Sequence, residues 1–129
     1  MCPEGGTSAQ GPTVVVVDDD ADLLAALRFS LELDGLRVIT HRSAETVAVD
    51  DLPRTNACLV LDYRLPGQDG LDLLVSLREA GVTLPAILVT SHAAPTVRHQ
   101  ARSVGAVLLE KPLLGDALVT AIHAVLTRP

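Results

Sequence analysis

Cys58-Leu59-Val60-Leu61-Asp62-Tyr63-Arg64-Leu65-Pro66-Gly67-Gln68-Asp69-Gly70 is the stretch on which the fold turns. Apolar or thiol residues, Cys58 to Leu61, run straight into a carboxylate, and Pro-Gly and Asp-Gly turn signals follow. A short apolar run closed by turn residues reads as a strand buried on both faces of a parallel sheet. A lone charge is too costly to bury, so Asp62 is expected at the strand's C-terminal end, facing a crevice.

The same grammar recurs on either side. Val14 to Val17 runs into Asp18-Asp19-Asp20, Ala86 to Val89 into Thr90-Ser91, and Val107 to Leu109 into Glu110-Lys111-Pro112. Between these runs lie helical patterns. The first spans Ala21 to about Asp34, with Leu23, Leu24, Leu27 and Leu31 as its stripe, Asp19 or Asp20 as cap, and Gly35 as terminator. Leu36 to Thr40 reads as a second strand. Ser43 caps a weaker helix from Ala44 to about Asp51, stopped by Pro53. Gly70 to Ala80 is a third helix, and Asp69 and Asp72 are its turn and helix-start acids. Pro95 opens a fourth, with Val97, Ala101 and Val104 inward. Leu113 to about Leu126 is a fifth. Strands alternating with helices imply an α/β fold: a doubly wound, five-stranded parallel sheet with five helices. If the acid-bearing first and third strands are neighbours, the order is 2-1-3-4-5 and a crevice opens between them.

At 129 residues the chain fits one domain, and 48% hydrophobic content excludes disorder. Met1 to Pro12 reads as a flexible leader, and residues 13–127 as the domain. No apolar run approaches the roughly 18–20 residues a membrane helix needs, and no signal peptide is visible. A net charge of −6 argues against a nucleic-acid surface. Cys2 and Cys58 read as free thiols of a reducing compartment, so a cytoplasmic location is expected. The histidines show no metal-ligand spacing and read as surface residues. Arg98, His99 and Arg102 make a small basic face, solvated by default. Lysine occurs once, as Lys111, in a chain that otherwise uses arginine; a compact ammonium can reach one oxygen where a guanidinium cannot.

The strand ends would gather Asp18, Asp19 and Asp62. Two like charges ~4 Å apart cost about 4 kcal/mol at an effective dielectric near 20. Either a carboxylate protonates or a cation settles among them, and hard oxygen ligands suit Mg²⁺, with Mn²⁺ as a substitute. Thr90 and Lys111 would surround a spot where a phosphoryl group could sit, with Asp62 as the nucleophile of an acyl phosphate.

The pieces VVVVDDD, LVLDYRLPGQDGLDLL, ILVTSH and GAVLLEKP, in this order, resemble the receiver domain of two-component response regulators, a flavodoxin-like phosphoacceptor; the phrasing is similar to receivers of the FixJ type. The resemblance covers Thr13 to Leu126. It implies phosphate transfer to Asp62 from a histidine kinase or phosphotransfer protein, in a phosphoacceptor that is not an enzyme in the ordinary sense. Asp18, Asp19, Asp62 and the Arg64 carbonyl would hold the metal. Thr90 would move onto the phosphoryl group and Lys111 would pair with it. Arg64, Ser91 and His92 would tune the lifetime, and Pro112 would follow a cis peptide bond. It also implies a homodimer through the fourth helix, fifth strand and fifth helix. Leu108 departs from the family, which usually has Phe or Tyr there as the switch that follows Thr90. A single helix fits after Lys111, so a stand-alone regulator acting through another protein, or as a relay intermediate, is expected, without a DNA-binding domain.

Two other readings stand beside this one. A receiver-fold module could bind partners independently of phosphate, which Leu108 favours. Asp18-x-Asp20 also resembles the DxD motif of haloacid-dehalogenase phosphatases, with Asp18 as nucleophile. Against that, Asp22 stands where a Thr is expected and Asp62 is left without a role.

Overall fold

Thr13–Val17 (β1), Arg37–His41 (β2), Ala57–Asp62 (β3), Ala86–Thr90 (β4) and Ala106–Glu110 (β5) form one parallel sheet in the order β2-β1-β3-β4-β5. The coordinates are a computed structural model in which residues 11–111 and 116–126 are described. The expected leader up to residue 10, Cys2 within it, the Pro112 peptide bond, Leu113, Leu114 and residue 127 lie outside them.

β1, β3 and β4 are buried along their whole length, which is why they carry continuous apolar runs rather than alternation. Among the described residues four α-helices cover the sheet: Ala21–Leu33 (α1), Gly70–Glu79 (α2), Pro95–Ser103 (α3) and Ala117–Leu126 (α4). Val14, Val16, Cys58 and Ile87 face one side, where Leu24 and Leu31 of α1 and Leu118, Ile122 and Val125 of α4 pack. Val15, Leu59, Leu61 and Leu88 face the other, beneath Leu71, Leu74 and Leu77 of α2 and Ala101 of α3. Alternate residues of each strand feed opposite faces, so two cores flank one sheet.

The expected second helix, Ala44 to Asp51, is absent. Two 3₁₀ turns, Ala44–Thr46 and Val49–Asp51, stand there instead. The segment's inward residues are mostly small, it carries β-branched Thr46, Val47 and Val49, and it places Asp50 and Asp51 where a helix C-terminus would repel them. Ala44 alone is buried from these turns, with Val47 and Leu52 packed at the margin. Among the described residues the α-helices therefore number four, where five were expected. Among the described residues no helix is long and apolar enough to cross a membrane.

Caps hold the helices in the register that the site needs. Asp20 Oδ1 accepts from the Asp22 and Leu23 amides at 3.0 and 3.1 Å, and Asp69 Oδ1 accepts from the Asp72 amide at 2.7 Å. Arg78 ties two loops at the opposite end: its guanidinium donates to the carbonyl oxygens of Val104, Val82 and Leu84 at 2.9, 3.0 and 2.7 Å. Cys58 is fully buried, and burial pushes its thiol up to about 12, which leaves it unreactive.

Candidate phosphoacceptor and metal site

The register of the sheet sets the site. Val17 at the end of β1 lies opposite Leu61, one residue short of Asp62, so Asp18 and Asp62 leave the same edge together. One carboxylate oxygen from each of Asp18, Asp19 and Asp62 lies within 4.8 Å of the others. Asp18 and Asp62 are buried, at 5% and 6% exposure, while Asp19 is exposed at the mouth. β5 brings Lys111 across from the far side of β4. Its Nζ donates to Asp62 Oδ2 at 3.4 Å and stands 4.0 Å from Asp18 Oδ2. The Lys111 amide is itself fixed, donating to the Thr90 carbonyl at 2.8 Å.

Asp20 does not join the cluster: its carboxylate is the α1 cap described above. A DxD pair of catalytic carboxylates is therefore not assembled, whereas Asp62, which that reading left idle, sits at the centre. Thr90 is buried at the end of β4, but its hydroxyl is turned to its own loop. Oγ1 donates to the His92 carbonyl at 3.1 Å and accepts from the His92 amide at 3.3 Å. Ser91, His92 and Arg64 are exposed around the mouth. The Arg64 amide leans on Asp62 Oδ1 at 3.4 Å. An open cleft of about 430 Å³ beside the cluster is lined by Asp19, Tyr63, Arg64, Leu65, Pro66 and Asp69. Leu108 pairs with Leu88 and is half-buried against the core beneath α2 and α3. Of the histidines, His41 is the one whose environment differs most from open solvent. It is half-buried at the end of β2, with Nδ1 2.8 Å from Thr46 Oγ1, and burial holds it below the ordinary imidazole range.

Gly70 is the site residue that sequence reasoning missed. A Cβ there would stand 2.2 Å from the Asp62 carbonyl oxygen and 3.2 Å from Leu88 Cδ1. The Gly70 amide donates to the Tyr63 carbonyl at 2.9 Å, closing the loop that begins at Asp62. The Asp69-Gly70 turn signal was visible in the sequence; the contact with a strand end seven or eight residues earlier was not.

The chemistry of the donors fits a hard divalent cation: three carboxylates on a few ångströms of surface, open to water on one side. Without one, the cluster is electrostatically strained. Burial above all raises the Asp18 carboxyl from its ordinary range, and the Asp62 and Asp19 charges add to this, while the Asp20 amide and Lys111 oppose it. A raised folded-state value means that the stabilising contribution is complete below the ordinary 3.8 and is lost as pH rises through the raised value. In chelator, Asp18→Asn is therefore expected to melt above wild type at pH 7.5, by roughly 4 °C per kcal/mol relieved. The gap should shrink toward pH 4.5 and close when Mg²⁺ is added. Paired thermal melts check this, and parallel pH profiles for the two proteins would contradict it.

A model of the response regulator receiver domain matches residues 14–123. The chain belongs to that family. Among curated relatives, the transcriptional regulatory protein FixJ of Azorhizobium caulinodans is 37% identical over 116 residues, which is 89% of this chain and 55% of FixJ. The C4-dicarboxylate transport transcriptional regulatory protein DctD of Pseudomonas aeruginosa is 40% identical over 117 residues, 88% of this chain and 25% of DctD. The receiver thus spans about half of one relative and a quarter of the other. Among solved structures, FixJ-N superposes with a TM-score of 0.80 at 31% identity, covering 93% of this chain and 97% of that one. The response regulator StyR gives 0.80 at 38%, covering 90% and 59%. Phosphorylation on an aspartate is general to receivers, which are signalling phosphoacceptors and bind Mg²⁺ at an acidic pocket.

Proposed function

We propose that this receiver, residues 13–127, accepts a phosphoryl group on Asp62 from the phosphohistidine of a histidine kinase or phosphotransfer protein. It would do so in the cytoplasm and pass the signal on through a protein partner or as a relay intermediate. The supporting observation is the convergence of Asp62, Asp18 and Asp19 with the Lys111 ammonium, 3.4 Å from the Asp62 carboxylate.

In the reaction, an Asp62 carboxylate oxygen forms a bond to phosphorus as the bond from phosphorus to the donor's imidazole nitrogen breaks. The imidazole leaves with the electron pair. Lys111 faces the side on which the transferred oxygens would lie and offsets their charge. Asp18, Asp19 and Asp62, with the Arg64 carbonyl, would hold Mg²⁺, which neutralises phosphoryl charge when bound. Thr90 would reach the phosphoryl group by exchanging its two contacts with the His92 backbone for one with a phosphoryl oxygen. Arg64, Ser91 and His92 would govern how readily water reaches the aspartyl phosphate.

Incubation with acetyl phosphate and Mg²⁺, followed by intact-mass spectrometry, should show a single added phosphate that hydroxylamine removes. Asp62→Asn should take up none. Failure of the wild type to gain phosphate, or unchanged uptake in the variant, would sink the proposal. Leu108 favours a second reading, in which partner binding does not depend on phosphate, because an aliphatic side chain packed into the core cannot report the movement of Thr90 as a ring does. Equal capture of one partner by wild type and Asp62→Asn would support that reading.

A further inference from the structure

Where a second helix was expected, the two 3₁₀ turns leave a cleft beside them. It measures about 470 Å³, the size of a small-molecule site. Val49, Asp50, Leu52, Pro53 and Arg54 wall it on one side, and residues 80–84, between α2 and β4, on the other. These segments precede β3 and β4, so the cleft opens at the N-terminal edge of the sheet, the end remote from Asp62. Much of its lining is apolar. Leu84 is buried, Leu52, Pro53 and Val82 are half-buried, and Val49 remains 39% exposed.

The wall formed by residues 80–84 is held from behind. The Val82 amide donates to the Leu77 carbonyl at 2.9 Å, and the Arg78 guanidinium donates to the carbonyl oxygens of Val82 and Leu84. Backbone fixed at these points does not collapse into the cleft. Between them, the Thr83 amide and hydroxyl take no partner among the described residues. Arg78 meets carbonyl oxygens and forms no ion pair among the described residues, so its charge behind this wall is not neutralised by a carboxylate.

Two further charges line the cleft unmatched. Asp50 and Arg54, four positions apart, form no ion pair with each other or with any other described residue. A lone surface charge means little, but an acid and a base lining one cleft with apolar side chains between them restrict what fits it. One guanidinium is too few to hold a nucleic-acid backbone. A wholly apolar ligand would strip water from both charges and return nothing. A zwitterion answers both: its carboxylate takes the Arg54 fork and the Thr83 amide, its ammonium takes Asp50, and an aliphatic body covers Val49, Leu52 and Val82.

We infer that this cleft binds a small zwitterion with an aliphatic body, the chemical class of free amino acids such as leucine. Its occupation does not depend on phosphate reaching Asp62.

The test titrates L-leucine into the full chain, to tens of millimolar, and follows amide chemical shifts. Resonances of residues 49–54 and 80–84 should move, and those of residues 62–64 and 90–92 should stay in place. Leucinamide lacks the carboxylate and isocaproate lacks the ammonium; each should bind at least ~10-fold more weakly, as the loss of one charged hydrogen bond implies. Arg54→Gln should erase the preference for leucine over leucinamide, and Asp50→Asn the preference over isocaproate. Both residues are exposed, and a merely structural role would not separate the analogues. Absence of shifts in the two segments, equal binding of the three compounds, or variants that leave both preferences intact would each overturn the inference. Shifts in these segments that follow protein concentration without added leucine would overturn it as well, by assigning the cleft to a second copy.

Discussion

Replacement of Lys111 by methionine is expected to slow phosphate uptake at Asp62 by about two orders of magnitude, in the range for losing one preorganised charge donor. The full Coulomb energy is not the measure. At ~4 Å and an effective dielectric near 20, one pair is worth about 4 kcal/mol, but the ammonium already faces Asp62 Oδ2 at 3.4 Å before any phosphate arrives. Only the additional attraction to oxygens gaining charge in the transition state accelerates the step. Lys111→Arg keeps the charge and should not restore the rate. Its planar fork is wider than an ammonium, and the residue's backbone is fixed by the 2.8 Å bond from its amide to the Thr90 carbonyl. Loss of the ammonium also leaves two buried carboxylates, Asp18 and Asp62, without their cation. Lys111→Met should therefore melt below wild type in chelator and regain much of the difference in Mg²⁺. Mass spectra taken over time with acetyl phosphate measure the rate. A Lys111→Met rate within about twofold of wild type, well short of the donor-loss range, would remove Lys111 from the site.

The positions of Asp62, Asp18, Thr90 and Lys111 were legible because a buried parallel strand leaves a continuous apolar run, and the one or two polar residues after it mark the sheet edge. Four such edges outline the crevice. The region from Ala44 to Asp51 was misread because a cap residue and a following proline frame it as a helix. Those signals mark boundaries only, and the short interior offers β-branched residues and an unfavourable charge order. The Thr90 hydroxyl was placed on the right edge, but its rotamer answers to the His92 backbone two residues on, a local competition that spacing does not encode.

Gly70→Ala is the other substitution with a large expected effect, and its cause is steric. Gly70 is the first residue of α2 and its backbone is not left-handed; any residue could adopt its conformation. The obstacle is the Asp62 carbonyl oxygen, 2.2 Å from where a Cβ would be, with the carbonyl carbon at 2.9 Å. Backbone atoms held in a sheet cannot yield as the end of a side chain can, so α2 must move off β3 or the end of β3 must turn. Overpacking of this kind costs about 3 kcal/mol, which lowers the melting temperature by roughly 10 °C in a domain of this size. A methyl group in the opposite direction, at Gly81, meets nothing within 4 Å and costs only the strain of a positive φ of 95°. Urea titrations should rank Gly70→Ala well below Gly81→Ala in stability. Leu88→Ala in the Gly70→Ala background relieves the contact at 3.2 Å but not the one at 2.2 Å, so it should bring no rescue. Because the displaced group is the backbone of Asp62 itself, Gly70→Ala held folded at low temperature should also take up phosphate more slowly, with amide shifts centred on residues 62–64. Stability within about 1 kcal/mol of wild type would mean that the helix start yields freely, and that Asp62 is positioned by the sheet alone.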